Sequence, residues 1–158
     1  MKSYAAPWSK SLLLISSLVT VICLGIAVVM TLRGQGWIAL LPLIILGWGG
    51  LFTIRGYVLT NNSILVRRLL WATRVPLAGL KTAQFDPDAM NSSIRTFANG
   101  GVFAFSGFFA NKTLGAYRAF VTDPRRTVVL HFPSSTIVIS PAAPEELVHD
   151  LGVWSPPA

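Results

Sequence analysis

Two uncharged runs constrain this chain before anything else does. Between Lys10 and Arg33 lie 22 residues with no acidic or basic side chain, and between Arg33 and Arg55 lie another 21. A helix rises about 1.5 Å per residue, so each run makes roughly 30 Å of helix, the thickness of the hydrocarbon core of a bilayer. Only 12% of the chain is charged and 53% is hydrophobic, whereas soluble domains carry roughly a quarter charged residues. The runs therefore predict a transmembrane helical hairpin over residues 11–54, turned by the short segment RGQGW. A cleaved signal peptide fits less well, because the first run is too long for an h-region, no Ala-x-Ala pattern follows, and a second apolar run begins almost at once. Ser16 and Thr20 in the first helix, and Gly47 and Gly50 in the second, are small residues at turn spacing, expected to let the two backbones approach closely. Pro42 is a candidate kink. Trp8 and Trp37 are expected near the two membrane interfaces.

Orientation follows from the basic residues. Lys2 and Lys10 precede the hairpin, Arg55, Arg67, Arg68 and Arg74 follow it, and the turn carries only Arg33. The positive-inside rule then places both termini in the cytoplasm and makes residues 1–10 a cytoplasmic N-terminal segment. No Asp or Glu occurs before Asp86, so the juxtamembrane surface faces an anionic leaflet with net positive charge. The single cysteine, Cys23, lies inside the first span, which rules out an intrachain disulfide or a thiolate metal cluster.

Residues 55–158 are enough for one domain with its own core. Short β-rich runs broken by turn residues predict a mainly-β domain. YVLT and SILVRRLL flank Asn61-Asn62, which tolerate the positive φ of a two-residue hairpin turn; WATRV runs to Pro76, and LKTAQF ends at Asp86-Pro87-Asp88. LGAYRAFVT, TVVLHF and STIVIS follow, joined by Asp123-Pro124-Arg125-Arg126 and by Pro133-Ser134. PEELVHDL differs. Its proline suits a first helical turn, its glutamates lie at the favourable end, and Leu147, Val148 and Leu151 share a face. It predicts one short amphipathic helix that must dock to persist.

This order of elements, with R-T-F-x-N-G-G at residues 95–101, G-x-F-x-N-K-x-L-G at 107–115, V-T-D-P at 121–124 and V-I-S-P at 138–141, resembles the bacterial pleckstrin-homology-like (PH-like) domain family. Within it the chain is similar to the branch carried behind an N-terminal two-helix membrane anchor. Ala98 and Ala104 stand where the family has small glycines, and Phe105 where a tyrosine is common. The resemblance implies a partly open barrel of about seven antiparallel strands in two near-orthogonal sheets, capped by a C-terminal helix, and it does not imply an enzyme. Asn99, Gly100 and Gly101 are read as its signature turn.

No motif points to catalysis or a cofactor. The window SGFFANKT has Ser106 and Asn111 where a phosphate loop needs its glycines. Asp86, Asp88 and Asn91 lack the glycine and distal glutamate of a calcium loop and read as a turn whose aspartates bond local amides. Two histidines, His131 and His149, with no available thiol do not make a zinc site. Arg67 and Arg68 are neighbours in a strand and point to opposite faces, so they are not one patch. Scattered basic residues argue against nucleic acid, and the uncharged Asn61-Asn62 turn against specific inositide recognition.

What remains is a surface. Phe103, Phe105, Phe108 and Phe109, with Arg118 among aromatics and Arg125 and Arg126 in a turn, form the candidate interaction surface; most of the rings in this stretch are expected to pack in the core and the rest to meet a partner. The expected role is a non-catalytic module for protein interaction or assembly at the cytoplasmic face of a bacterial inner membrane. The bilayer is one partner, and a protein or a second copy is another. Anionic-lipid sensing and an accessory place in a transport or secretion complex are the alternatives.

Overall fold

The computed structural model describes residues 1–100 and 103–152, and of residues 97–100 only the backbone. The chain begins with strand β1 (Lys2–Ala5), and then forms helices α1 (Lys10–Leu32) and α2 (Gly36–Leu51). Strands β2 (Gly56–Leu59), β3 (Ser63–Arg67), β4 (Ala72–Pro76), β5 (Thr82–Phe85), β6 (Ile94–Gly100), β7 (Phe105–Asn111), β8 (Gly115–Val121), β9 (Val128–His131) and β10 (Thr136–Ile139) follow, then helix α3 (Pro144–Asp150). One sheet has the order β1-β2-β3-β4 and the other β5-β9-β10-β8-β7-β6.

The first strand is the main departure from expectation. Lys2–Ala5, for which no strand was expected, pairs antiparallel with β2 in the register Lys2↔Leu59 to Ala5↔Gly56. Both helices are thus inserted into the connection between two neighbouring strands. Loop-closure entropy grows only logarithmically with length, so a sheet tolerates such an insertion if the paired strands hold each other. Gly56 permits the close approach, since a Cβ there would lie 2.8 Å from the Tyr4 carbonyl oxygen. At the other end of β1, Lys2 Nζ meets Glu146 Oε1 at 2.6 Å and Asp150 Oδ2 at 2.7 Å. The Tyr4 hydroxyl donates to the same Asp150 carboxylate. β1 is therefore tied to α3 as well as to β2.

Helix α1 starts at the N-cap Ser9, whose Oγ accepts the Leu12 amide at 3.2 Å, and fills the first uncharged run. Its 23 residues make about 34 Å, long enough to cross a bilayer. The second helix is shorter than its run: α2 has 16 residues, about 24 Å, because residues 52–55 leave the helix to enter β2. Pro42 lies inside α2 without ending it. Nothing stands within 4 Å of a Cβ built at Gly47 or Gly50, so these are not close-approach points. The buried residues of the hairpin are Leu12, Ser16 and Ala27 on α1 and Ala39 and Pro42 on α2. Most other large apolar side chains of both helices face outward.

In the β-domain, alternation does the sorting, since successive strand residues point to opposite faces. Val128 and Leu130 of β9, Ile139 of β10 and Phe120 of β8 face the first sheet and join Tyr57, Ile64, Val66 and Val75 in the main core, with Leu147 and Val148 of α3. Val129, Val138, Tyr117, Ala119 and Val121 point the other way and pack with Phe109 and Ala89 in a second cluster. The six-stranded sheet thus contributes to a buried cluster on each of its faces. Ala89 and Met90, from the segment between β5 and β6, help to cover the outer one. In that segment Asp86 accepts the Asp88 amide and Asp88 accepts from Asn91, as a local turn requires.

The C-terminal helix and the strand-rich domain match expectation, but the pairing is not all antiparallel. β10 runs parallel to β8, in the register Ile137↔Arg118 to Ile139↔Phe120, and β1 adds a strand from before the helices. The Asn61-Asn62 turn forms with Thr60 N donating to Ser63 O at 2.9 Å, yet neither asparagine takes a positive φ. SILVRRLL is not one strand either, because the chain turns at Arg68–Trp71, where Arg68 N donates to Trp71 O at 2.8 Å.

Two predictions test the inserted-strand arrangement. Gly56→Ala should push β1 from β2 at a cost of about 1–3 kcal/mol, the usual range for overpacking, with faster amide exchange in residues 3–5 and little change in β9. The tie to α3 should also be pH-dependent. Its bond to Lys2, then that to Tyr4, lowers the Asp150 pKa from its ordinary 3.8, so this contribution is present above 3.8 and lost as pH falls through the folded value. Bonds to Asp150 and then Glu146 raise the Lys2 pKa above 10.5, while burial and then the Asp150 bond push Tyr4 up to about 12. Those contributions are complete in mild alkali and fade only as pH rises through the raised values. Exchange in β1 should therefore accelerate relative to β9 in acid below about pH 4, and not between pH 5 and 9.

Candidate interaction surface at the base of the hairpin

The polar centre of the domain is Tyr57, fully buried, which joins its sheet to the other. Its hydroxyl donates to Phe120 O at 2.6 Å and accepts the Ser140 amide at 3.2 Å. Burial pushes its phenol up to about 12, so it remains a donor. Ser140 Oγ in turn accepts the amides of Thr122 at 2.8 Å and Asp123 at 3.2 Å. The V-T-D-P and V-I-S-P segments, far apart in sequence, therefore meet at one hydroxyl.

The helical hairpin joins the domain beside this centre. Ser9 N donates to Thr122 O at 3.1 Å, Ser16 Oγ accepts the Phe103 amide at 2.9 Å, and Trp8 packs edge-on against Phe103 at 6.3 Å. On the α2 side the organiser is Arg68. Its guanidinium donates to Phe52 O at 3.0 Å, to Ser106 Oγ at 2.8 Å and to Thr73 Oγ1 at 3.3 Å, and lies 5.4 to 6.0 Å from the ring centroids of Phe52, Phe120 and Trp71. Burial, then the nearby Arg118 charge, lowers its pKa. It keeps its charge nonetheless, since an arginine starts from so high a value. Sequence reasoning separated Arg67 from Arg68 correctly, with Arg67 exposed and Arg68 buried. It did not find the role of Arg68, for the partners come from α2, β4 and β7.

The sequence-derived surface residues do not form one patch. Phe109 is 6% exposed and stacks on Tyr117 at 6.0 Å in the second cluster, so it is core. Phe105 packs partly against the same cluster. Phe103, with a positive φ of 64°, belongs to the hairpin junction. Phe108 is 53% exposed, on the other face of β7, and Arg118 lies over its ring at 5.7 Å and over that of Phe120 at 4.8 Å. Phe120 thus has two guanidinium groups near its ring. Ile94, opposite Ala110 at the edge of the sheet, is also exposed.

Arg125 and Arg126 occupy a single 3-10 turn capped by Asp123. Arg126 donates to Ala142 O at 2.7 Å, while both remain exposed. Asn99 and Gly100 are not a turn: they lie in β6, opposite Ser106 and Phe105, and Gly101 lies outside the described residues. The NKTLG segment is the turn instead. Asn111 Oδ1 accepts the Leu114 amide at 2.7 Å, Asn111 Nδ2 donates to Ala89 O at 2.8 Å, and Gly115 adopts a φ of 67°. Its lysine and threonine sit between two strands, which no phosphate loop does. Among the described residues, no three His, Cys, Asp or Glu side chains gather as a metal site would require.

Arg68→Ala should leave Phe52 O and Ser106 Oγ without this donor and lower stability by about 1–3 kcal/mol, read as thermal unfolding of the full chain in detergent. Arg68→Lys should recover only part, because an ammonium cannot fork to both acceptors while stacking on rings.

No curated protein and no solved structure matches the chain. The family model described as bacterial PH domain matches residues 55–153. That match begins after the hairpin, so β1 completes the first sheet from outside the matched region. With more than half of its length matched, the chain belongs to the bacterial PH domain family.

Proposed function

We propose that this chain is a non-catalytic, membrane-anchored PH-like module that serves protein interaction or assembly at the cytoplasmic face of the inner membrane. The family is generally non-catalytic, which supports the first part. The anchor reading rests on the exposed apolar surface of α1 and α2 and on topology. A chain that leaves the sheet at Ala5 and re-enters it at Gly56 returns to the side it left, so two spans suit it and one does not. The basic residues flanking the hairpin favour the cytoplasmic side.

The observation that carries the interaction reading is Phe108 with Arg118. An exposed phenylalanine under a guanidinium, beside the exposed Ile94, presents an apolar and cationic surface of the kind enriched where proteins meet. The sheet edge at β6 adds unpaired backbone groups beside it. A partner supplying an aromatic or aliphatic side chain and an acidic group would match both features; a second copy is one such candidate. Photo-crosslinking in cells from positions 108 and 118 should capture a discrete protein adduct absent from position 112, in the far turn. Equal adducts from all three positions, or none, would count against this surface.

Anionic-lipid attraction is the second reading. Arg55, Arg67 and Arg125 are exposed close to where the helices meet the domain. Each basic residue near an anionic surface contributes about 1 kcal/mol, without a specific lipid site.

A further inference from the structure

We propose that the β3–β4 turn, Leu69-Leu70-Trp71, is embedded in the interfacial layer of the bilayer beside the helical hairpin, so that the domain itself forms part of the membrane anchor. The inference rests on the reading of the hairpin as that anchor. Leu69, Leu70 and Trp71 are 46%, 74% and 40% exposed. Three consecutive large apolar side chains at the tip of a turn are a poor choice for a water-facing loop, where Gly, Asn, Asp and Ser prevail.

The location of the turn names its occupant. Trp71 packs edge-on against Phe52 at 5.4 Å, and Phe52 lies 6.0 Å from Trp48, one turn back on α2. Phe52 is the C-cap of α2, and Arg68, at the start of the turn, holds its carbonyl oxygen. The rings therefore continue the outward apolar side of α2 onto the domain without a polar break. Trp favours this depth, with its ring among the upper acyl chains and its N–H toward water.

Length points the same way. The 16 residues of α2 span about 24 Å, short of the roughly 30 Å hydrocarbon core. α1 is longer, but Leu12 and Ser16 are buried and Ser16 receives the Phe103 amide, so its first turns dock on the domain. Ser17–Leu32 is again 16 residues, about 24 Å. A span this short draws flanking residues into the bilayer or thins it. The far end of the hairpin cannot supply them, because Arg33, Gly34 and Gln35 are polar or small. The domain end can, through Leu69, Leu70, Trp71 and the outward Leu13 and Leu14. Arg55 and Arg67, exposed next to the turn, then fall at headgroup level, where phosphates meet guanidinium groups.

The test uses the full chain in phosphatidylethanolamine and phosphatidylglycerol vesicles with one environment-sensitive fluorophore per protein. The native Cys23 reports the hairpin, Leu70→Cys in a Cys23→Ser background reports the turn, and Lys112→Cys in the same background reports the far, water-facing end. The probe at 70 should emit at shorter wavelength than the probe at 112 and lose most of its quenching by aqueous iodide. It should also be quenched more by a nitroxide near the headgroup than by one near the chain end, with the reverse order at 23. If 70 is as open to iodide as 112 while 23 stays lipid-quenched, the turn is not embedded, and the hairpin reading stands. If 70 and 23 are both open to iodide, the anchor reading and this inference fall together.

Discussion

The pairing of β1 with β2 is the constraint on which the rest of the molecule depends. Four residues from before the helices and four from after them form one ladder, from Lys2↔Leu59 to Ala5↔Gly56, so the helical hairpin is held at both ends by a single sheet. Its bases cannot separate without breaking that ladder, and neither can slide without shifting every side chain of β1 to the wrong face. The ion pairs and hydroxyl contact at Asp150 close the arrangement on α3. A tether of one helix joined to a domain by a flexible linker would leave the domain free to rotate; two helices rooted in neighbouring strands do not.

Orientation is then refined by contacts that reach from the domain into the helices. The Phe103 amide holds Ser16 in α1, and Arg68 holds the last carbonyl region of α2 through Phe52. Among the described residues Arg68 has no carboxylate partner; neutral acceptors and ring faces surround it. Cation–π attraction and charge-assisted bonds to neutral oxygens both gain strength where water is sparse, as it is around this buried guanidinium. The buried Tyr57 hydroxyl, joined to Phe120 O and the Ser140 amide, ties the sheet carrying the hairpin to the sheet carrying Phe108 and Arg118.

How much could be read in advance varied with the range of the interaction involved. Helix α1 follows from an uncharged run, and α3 from a proline, two glutamates and an apolar face, all local signals. The turn at Asn61-Asn62 and that at Asp86–Asp88 are local too. Phe109 and Phe108, by contrast, are neighbours of identical chemistry, yet one is core and the other surface. Only the position of the second cluster on one face of the sheet tells them apart. Asn99-Gly100 was expected in a turn as part of the family signature, but both residues pair with β7 instead.

From the sequence alone one could determine what short-range chemistry dictates: an apolar helical pair, a mainly-β domain of the bacterial PH type behind it, a terminal helix and the lack of a recognisable catalytic motif. Tertiary structure decided the rest. It recruited KSYA, four residues with no strand pattern strong enough to stand alone, into the first sheet, because a strand this short is stable only when paired and pinned. It also set β10 parallel to β8, buried Arg68 while exposing Arg67, and brought Leu69-Leu70-Trp71 to the foot of the hairpin. Each of these depends on partners in other elements of the chain, and no local propensity encodes such a partner.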